Sequence, residues 1–246
     1  MAIADVVRAE RHGSRWETRS LLGFDLETTG VDRFSDRPVA AAFVEAAGTV
    51  VVRRQYRLID PGVEVPDGAC AVHGISTQMS RQGIALEEAC EKFLSIFSGA
   101  ARRKDVVVGM NLSYDLTMVD ALCRGLLCQS IATLGLLVAD VLVIDRHFEP
   151  YRPGKRRLED LCAHYGVELH NAHDALGDVE GSLGVLAKQL AIYPELADLD
   201  PAALTVREVA WHDEWATGYS SWRCRNGQGP LSPEDHLWPI ALRDRA

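Results

Sequence analysis

The sequence predicts an α/β domain built on a mixed sheet with helices on its faces. Three observations carry that expectation. Three strand-like segments follow one another near the start, with Ala47-Gly48 as the turn between the second and third, so they read as an antiparallel meander. The remainder alternates strand and helix patterns, giving the order β-β-β-α-β-α-β-α-α, which suits a five-stranded mixed sheet. The 246 residues, 47% apolar and 25% charged, are enough for one sizeable domain with a C-terminal helical extension.

Residues 1–19 carry scattered charges without a signal-peptide core and read as a flexible lead-in. The first strand spans about 20–27, with Leu22, Phe24 and Leu26 on one face and Gly23, Asp25 and Glu27 on the other. Val39–Ala46 and Thr49–Ile59 complete the meander. Pro61-Gly62 and Pro66-Asp67-Gly68 mark a loop, and Ala69–Ile75 reads as a short helix ending at Gly74. Leu86, Ala89, Phe93 and Ile96 recur at helical spacing, placing a helix over 85–99. Val106–Val108 is a fourth strand. A helix follows over Ser113–Arg124, with Ser113 or Asn111 near its cap. The apolar run Val138–Ile144 reads as a fifth strand, and Arg157–Tyr165 as a helix closed by Gly166. The last helix of the domain, Asp174–Tyr193, carries Gly177, Gly181 and Gly184, which on one face let it lie close to the sheet.

The expected organisation is thus a lead-in over 1–19, a domain over 20–193, an aromatic-rich helix over 194–224 and an irregular tail over 225–246. In the helix, Trp211, Trp215, Tyr219 and Trp222 form one stripe, suited to packing against the domain or to docking a partner.

The totals exclude several classes. The net charge of −9 argues against a protein that holds nucleic acid by bulk positive charge, though not against one that meets phosphate through bound cations. Two basic clusters, Arg102-Arg103-Lys104 and Arg152 with Lys155, Arg156 and Arg157, read as solvated surface. The six cysteines form no C-x-x-C pair, which suits a reduced cytoplasmic protein and speaks against zinc. The longest apolar candidate for a membrane span, Ala132–Ile144, is interrupted by Asp140, so no membrane association is expected.

The chemistry concentrates at four places. Gly23-Phe24-Asp25-Leu26-Glu27-Thr28-Thr29-Gly30 sets two carboxylates on one strand face, where they repel each other unless cations lie between them; hard oxygen ligands suit Mg²⁺ or Mn²⁺. Val108-Gly109-Met110-Asn111-Leu112-Ser113-Tyr114-Asp115 places Asp115 in a first helical turn at the sheet's edge. His173-Asp174-Ala175-Leu176-Gly177-Asp178 puts Asp178 about one and a half turns beyond His173. Ala71-Val72-His73-Gly74-Ile75 contributes a further histidine.

Together these stretches resemble the DEDDh, or DnaQ-like, family of 3′–5′ exonucleases, which includes the proofreading epsilon-type subunit of bacterial replicases. The family pattern is D-x-E in the first strand, then N-x-x-[FY]-D, then H and D with four residues between. Here these are Asp25 and Glu27, then Asn111, Tyr114 and Asp115, then His173 and Asp178; His170 would pair only with Ala175. The likeness covers residues 20–193 and implies a ribonuclease H-like fold. It departs at Met110, where relatives often have His, and at Leu112, where they often have Ala.

The resemblance implies two divalent cations, with Asp25 touching both, Glu27 and Asp178 holding the one that activates water, and Asp115 serving the second. It implies in-line attack on a phosphodiester with His173 as general base and a nucleoside 5′-monophosphate as product. It further implies that Leu26, Thr28 and Thr29 line the terminal nucleotide, that Asn111 and Tyr114 brace its sugar or base, and that His73 lies near substrate. The expected partner is a single-stranded DNA 3′ end, in proofreading or repair. Two alternatives stay open: an exoribonuclease resembling ribonuclease T, and an adaptor that scaffolds a polymerase. Gln189-Leu190-Ala191-Ile192-Tyr193 faintly resembles the pentapeptide that docks on sliding clamps, but at the end of a helix it reads as structure.

Overall fold

The computed structural model describes residues 16–169 and 174–243. The lead-in therefore lies outside the described residues up to position 15, and so does His173.

Strand β1 (Ser20–Thr28) pairs antiparallel with β2 (Pro38–Ala47), which pairs antiparallel with β3 (Val50–Asp60). Gly48, at φ 57°, makes the turn, and its amide donates to the Arg19 carbonyl at 2.9 Å. Helix α1 (Asp67–His73) closes on Gly74 in the left-handed conformation, and the single turn α2 (Thr77–Ser80) is capped by Ser76. Then come β4 (Ile84–Ala85), α3 (Leu86–Arg103), β5 (Val106–Gly109), α4 (Leu112–Leu127) and β6 (Leu137–Asp140). Helices α5 (Val141–Phe148), α6 (Leu158–Tyr165), α7 (Ala175–Ile192), α8 (Pro194–Ala197) and α9 (Pro201–Arg225) complete the order. No helix among the described residues is long and apolar enough to cross a membrane.

The sheet runs β4-β3-β2-β1-β5-β6, with β5 and β6 parallel to β1 and β4 parallel to the end of β3. It has six strands where five were expected. The extra one, β4, is two residues long, too short to leave a periodic pattern. A second difference lies at the expected fifth strand, Val138–Ile144. The strand stops at Asp140, whose side chain accepts from the Leu142 amide at 3.0 Å and starts α5. A buried helix and a buried strand give the same unbroken apolar run, so the run itself could not mark the boundary.

The alternation along β1 holds. Leu22, Phe24 and Leu26 enter a core with Phe93 and Phe97 of α3 and Leu112 and Leu116 of α4, and Phe24 stacks on Phe43 at 4.8 Å. On the other face Ala42 and Val44 of β2 meet Ala175 and Val179 of α7. Gly23 lets that helix approach: a Cβ there would stand 2.3 Å from Val179 Cγ1. Gly181 and Gly184 of that helix point elsewhere. A Cβ on Gly181 would meet Leu169 and Cys162, and one on Gly184 would meet Val167. They make room for α6 and the segment after it, not for the sheet.

Helix α9 runs alongside β6. The Val138 amide donates to Thr205 Oγ1 at 2.9 Å and the Asp140 amide to Glu208 Oε1 at 2.8 Å. Past Arg225 the chain makes a 3-10 turn at Pro233–His236 and returns across α4, where Trp238 is buried and the Ala241 amide donates to Thr117 Oγ1 at 2.9 Å.

Candidate active site

The carboxyl ends of β1 and β5 and the first turns of α4 and α7 meet at one edge of the sheet. From β1, Asp25 and Glu27 project toward α7, and Asp178 comes down from that helix. One carboxylate oxygen from each of these three residues lies within 4.8 Å of the other two. Asp115, buried in the first turn of α4, stands beside Asp25 and adds to its repulsion without joining the three-oxygen group.

Crowding of this kind disfavours ionisation. Burial, then the charges of Asp115, Glu27 and Asp178, hold the Asp25 carboxyl well above the usual carboxylate range. Burial and the nearby Asp178 and Asp174 push Glu27 up to about 8. Asp115 is raised by burial and by Asp140, while its own amide and that of Leu26 pull it back. Glu27 Oε1 is buried without a hydrogen-bond partner. An all-oxygen donor set with an orphaned carboxylate oxygen fits a hard divalent cation such as Mg²⁺ or Mn²⁺.

Of the expected nucleotide-lining residues, several are already engaged with backbone. The Tyr114 phenol donates to the Gly30 carbonyl at 2.5 Å and lies 3.1 Å from Thr28 Oγ1, which donates to the same carbonyl at 2.7 Å. Burial pushes that phenol up to about 12, so it stays a donor at neutral pH. The Thr29 hydroxyl donates to Asp36 at 2.9 Å and accepts from the Arg37 amide at 3.1 Å, closing the loop after β1. The Leu26 side chain is buried in the core, and its backbone amide donates to Asp115. His73 Nδ1 accepts from the Ile75 amide at 3.1 Å, so Nε2 carries the proton and donates to the Thr28 carbonyl at 3.3 Å. Its burial lowers its pKa. Asn111 is exposed, at φ 59°.

Sequence reasoning missed the residue that aims α4. Asp140, at the end of β6, accepts from the Asn111 and Leu112 amides, each at 2.9 Å, and so takes up the first amides of the helix that carries Asp115. Its own amide rests on the buried Glu208, and Trp238 Nε1 lies 3.5 Å from its Oδ2. The only sign in the sequence was an aspartate interrupting an apolar run. In the second basic cluster Lys155 and Arg157 are exposed as expected, but Arg152 and Arg156 are not solvated surface. Arg152 donates to the fully buried Asp145 at 3.0 Å, Arg156 pairs with it too, and the Tyr165 phenol donates to its other oxygen at 3.0 Å. Gln189, which leads the clamp-like pentapeptide, is buried and donates to the Val141 carbonyl at 2.9 Å, so it is structural.

The exonuclease family model named for RNase T matches residues 22–186. Among curated proteins, the chain is 26% identical over 157 residues to a DNA polymerase III PolC-type of Pediococcus pentosaceus, covering 64% of this chain and 10% of that protein. It is 25% identical over 174 residues to the PolC-type enzyme of Caldanaerobacter subterraneus, covering 70% of this chain and 12% of the relative. The chain thus spans about a tenth of the length of these relatives. Among solved structures, E. coli Exonuclease I in complex with a dT13 oligonucleotide superposes with a TM-score of 0.63 at 22% identity, covering 73% of this chain and 43% of that one. Exonuclease I of Methylocaldum szegediense superposes with a TM-score of 0.57 at 25% identity, covering 73% and 42%.

Proposed function

The chain belongs to the DnaQ-like exonuclease family, and from that premise we propose that it is a metal-dependent 3′–5′ exonuclease releasing nucleoside 5′-monophosphates from single-stranded or frayed DNA 3′ ends. The observation that carries this reading is the meeting of Asp25, Glu27 and Asp178 within 4.8 Å, with one buried Glu27 oxygen unpartnered. A polypeptide gains nothing in stability from acids forced together in this way; they make sense as a cation cradle.

Asp25, Glu27 and Asp178 would hold the cations, with Asp115 serving the second. When bound, two divalent cations supply charge stabilisation at the phosphoryl oxygens and a lowered pKa for the attacking water. His173, which precedes Asp178 by five positions in the sequence, would act as the general base toward the attacking water and must be neutral to do so. Asp140 holds the start of α4 so that Asp115 faces Asp25. Tyr114 and Thr28 pin the turn at Gly30, and His73 pins the end of β1, so the backbone of Leu26 and Thr28 presents a rigid wall to the terminal nucleotide. Asn111, exposed before the first turn of α4, would brace its sugar or base.

DNA as substrate draws support from the PolC-type relatives and from the oligonucleotide complexes of Exonuclease I. The PolC likeness also supports work alongside a polymerase, in proofreading or repair. The test is degradation of 5′-labelled single-stranded DNA and RNA of one sequence by one preparation, with Mg²⁺ and with EDTA. We expect DNA to shorten from its 3′ end with mononucleotide product, and EDTA to stop it. Degradation of RNA alone would replace this reading with a ribonuclease T-like one, and activity indifferent to EDTA would remove the cation site from it.

A further inference from the structure

The stripe on α9 is more ordered than packing requires. The Arg146 guanidinium lies over the Trp215 ring at 3.5 Å. Tyr219 stacks on Trp215 with centroids 5.3 Å apart and planes at 15°, and Trp222 stacks on Tyr219 at 5.7 Å and 10°. The result is a parallel column with one end buried against the domain. Exposure rises along it, to 37% at Tyr219 and 45% at Trp222. The spacings are too small to admit a base between rings, so the column offers a base only the outer face of Trp222. Among the described residues no ring or guanidinium is recorded on that face. Arg225 follows three positions on and shares the same side of the helix.

The direction of α9 gives the column its meaning. Thr205 meets Val138 and Glu208 meets Asp140, so the helix runs the same way as β6, and β6 is parallel to β5 and β1. The part of α9 after Glu208 therefore extends past the carboxyl ends of the strands, the edge that carries the acidic pocket. The 3-10 turn that follows α9 is tied back to that edge, with His212 Nε2 donating to the Asp235 carbonyl at 2.9 Å and Arg33 of the loop after β1 paired with Asp235 at 2.9 Å.

We infer that Trp222, backed by the Tyr219–Trp215–Arg146 column and flanked by Arg225, is a stacking platform for a base of the single-stranded nucleic acid whose 3′ end enters the acidic pocket. Stacking on an aromatic face tolerates any base, which suits a nuclease that must move along arbitrary sequence, and an arginine beside it answers the backbone phosphate. From Glu208 to Trp222 the helix rises about 21 Å, and at ~3.4 Å per stacked nucleotide that is about six nucleotides from the edge of the sheet. Shorter strands end before they reach the platform. This inference rests on the exonuclease reading above.

The test compares removal of the 3′ nucleotide from 5′-labelled dT16 and dT4 in Mg²⁺ by wild type, Trp222→Ala and Trp222→Phe. We expect Trp222→Ala to raise KM for dT16 about 5- to 100-fold, with kcat and both parameters for dT4 unchanged, and Trp222→Phe to restore most of the loss. Melting temperatures of the variants control for folding. An unchanged KM for dT16, while wild type degrades it, overturns the platform and leaves the exonuclease reading standing; the column would then belong to a protein contact. Equal losses on dT16 and dT4 also overturn it. If wild type degrades neither oligonucleotide, both readings fall.

Discussion

Glu27→Gln should make the cation-free protein more stable, although it destroys a ligand of the site. The Glu27 carboxyl titrates at about 8 in the fold against 4.5 for the free side chain. A carboxyl raised in this way costs nothing below about pH 4.5, where it is protonated folded or unfolded. As pH rises above that, the unfolded chain ionises and the folded one resists, so stability is lost progressively until about pH 8. At ~1.4 kcal/mol per unit the loss at pH 7 reaches about 3 kcal/mol, and about 2 kcal/mol once solvent access to this half-buried group is allowed for. Glutamine keeps the shape and removes the charge. For a chain of this size about 2 kcal/mol corresponds to a melting temperature ~4–8 °C higher. The assay is thermal denaturation in EDTA at pH 7.5 and at pH 4.5, where the two proteins should converge. Millimolar Mg²⁺ should then raise wild type by RT ln(1 + [L]/Kd) and raise the variant less, narrowing or reversing the gap. Equal stability in EDTA at pH 7.5, or a gap unchanged at pH 4.5, would refute the account of the pocket as a set of mutually repelling acids.

Three further outcomes follow from the same geometry. His173→Ala should lower kcat by roughly 10²–10⁴ with the melting temperature unchanged, and near-wild-type turnover would remove it as the base. Gly23→Ala drives a methyl to 2.3 Å from Val179 Cγ1, one residue from Asp178; it should cost about 1–3 kcal/mol and reduce turnover, and Gly23→Ala combined with Val179→Ala should recover both in urea titrations and rate assays. Asp140→Ala orphans the Asn111 and Leu112 amides at the start of α4 and should cost about 2–4 kcal/mol in urea denaturation, with kcat falling more than KM changes; a loss below 1 kcal/mol would show that water replaces the carboxylate.

The elements that carry the acids were legible because their signals are local. Alternation along Leu22–Glu27 gives both the strand and the face on which Asp25 and Glu27 stand, and the strand-to-helix change around Gly109–Ser113 fixes the place of Asp115. Long-range pairings left no such mark. Asp140 meets Glu208 across 68 positions and the amides of Asn111 and Leu112 across about 29, so its capping role was invisible beside its one local trait, polarity in an apolar run. The same holds for Arg152 and Arg156, whose buried partner Asp145 lies in α5, a helix whose first turn read as strand. Gly181 and Gly184 announced a close approach, expected to be to the sheet: the sequence shows that a Cβ is missing, and only the fold shows that α6 and the segment after it fill the space while Gly23 admits α7. The tail gave no periodic signal, yet Trp238 is buried against α4 because a single large side chain can anchor a segment without regular structure.

The position of α9 also settles what the borders of the sheet can do. A strand at a margin ordinarily offers its amides and carbonyls to any stray chain and so invites aggregation. On the β6 side, Thr205 and Glu208 occupy the Val138 and Asp140 amides, and the helix roofs the margin over its length. On the far side β4 covers only Ile59 and Asp60, and the rest of β3 carries Arg53, Arg54 and Arg57, the first two paired with Glu45 and Glu180; charged side chains along such a margin hinder a second copy laid alongside. Shortening the chain before Pro201 would strip the first protection and leave the second, so clumping of such a fragment should proceed through β6.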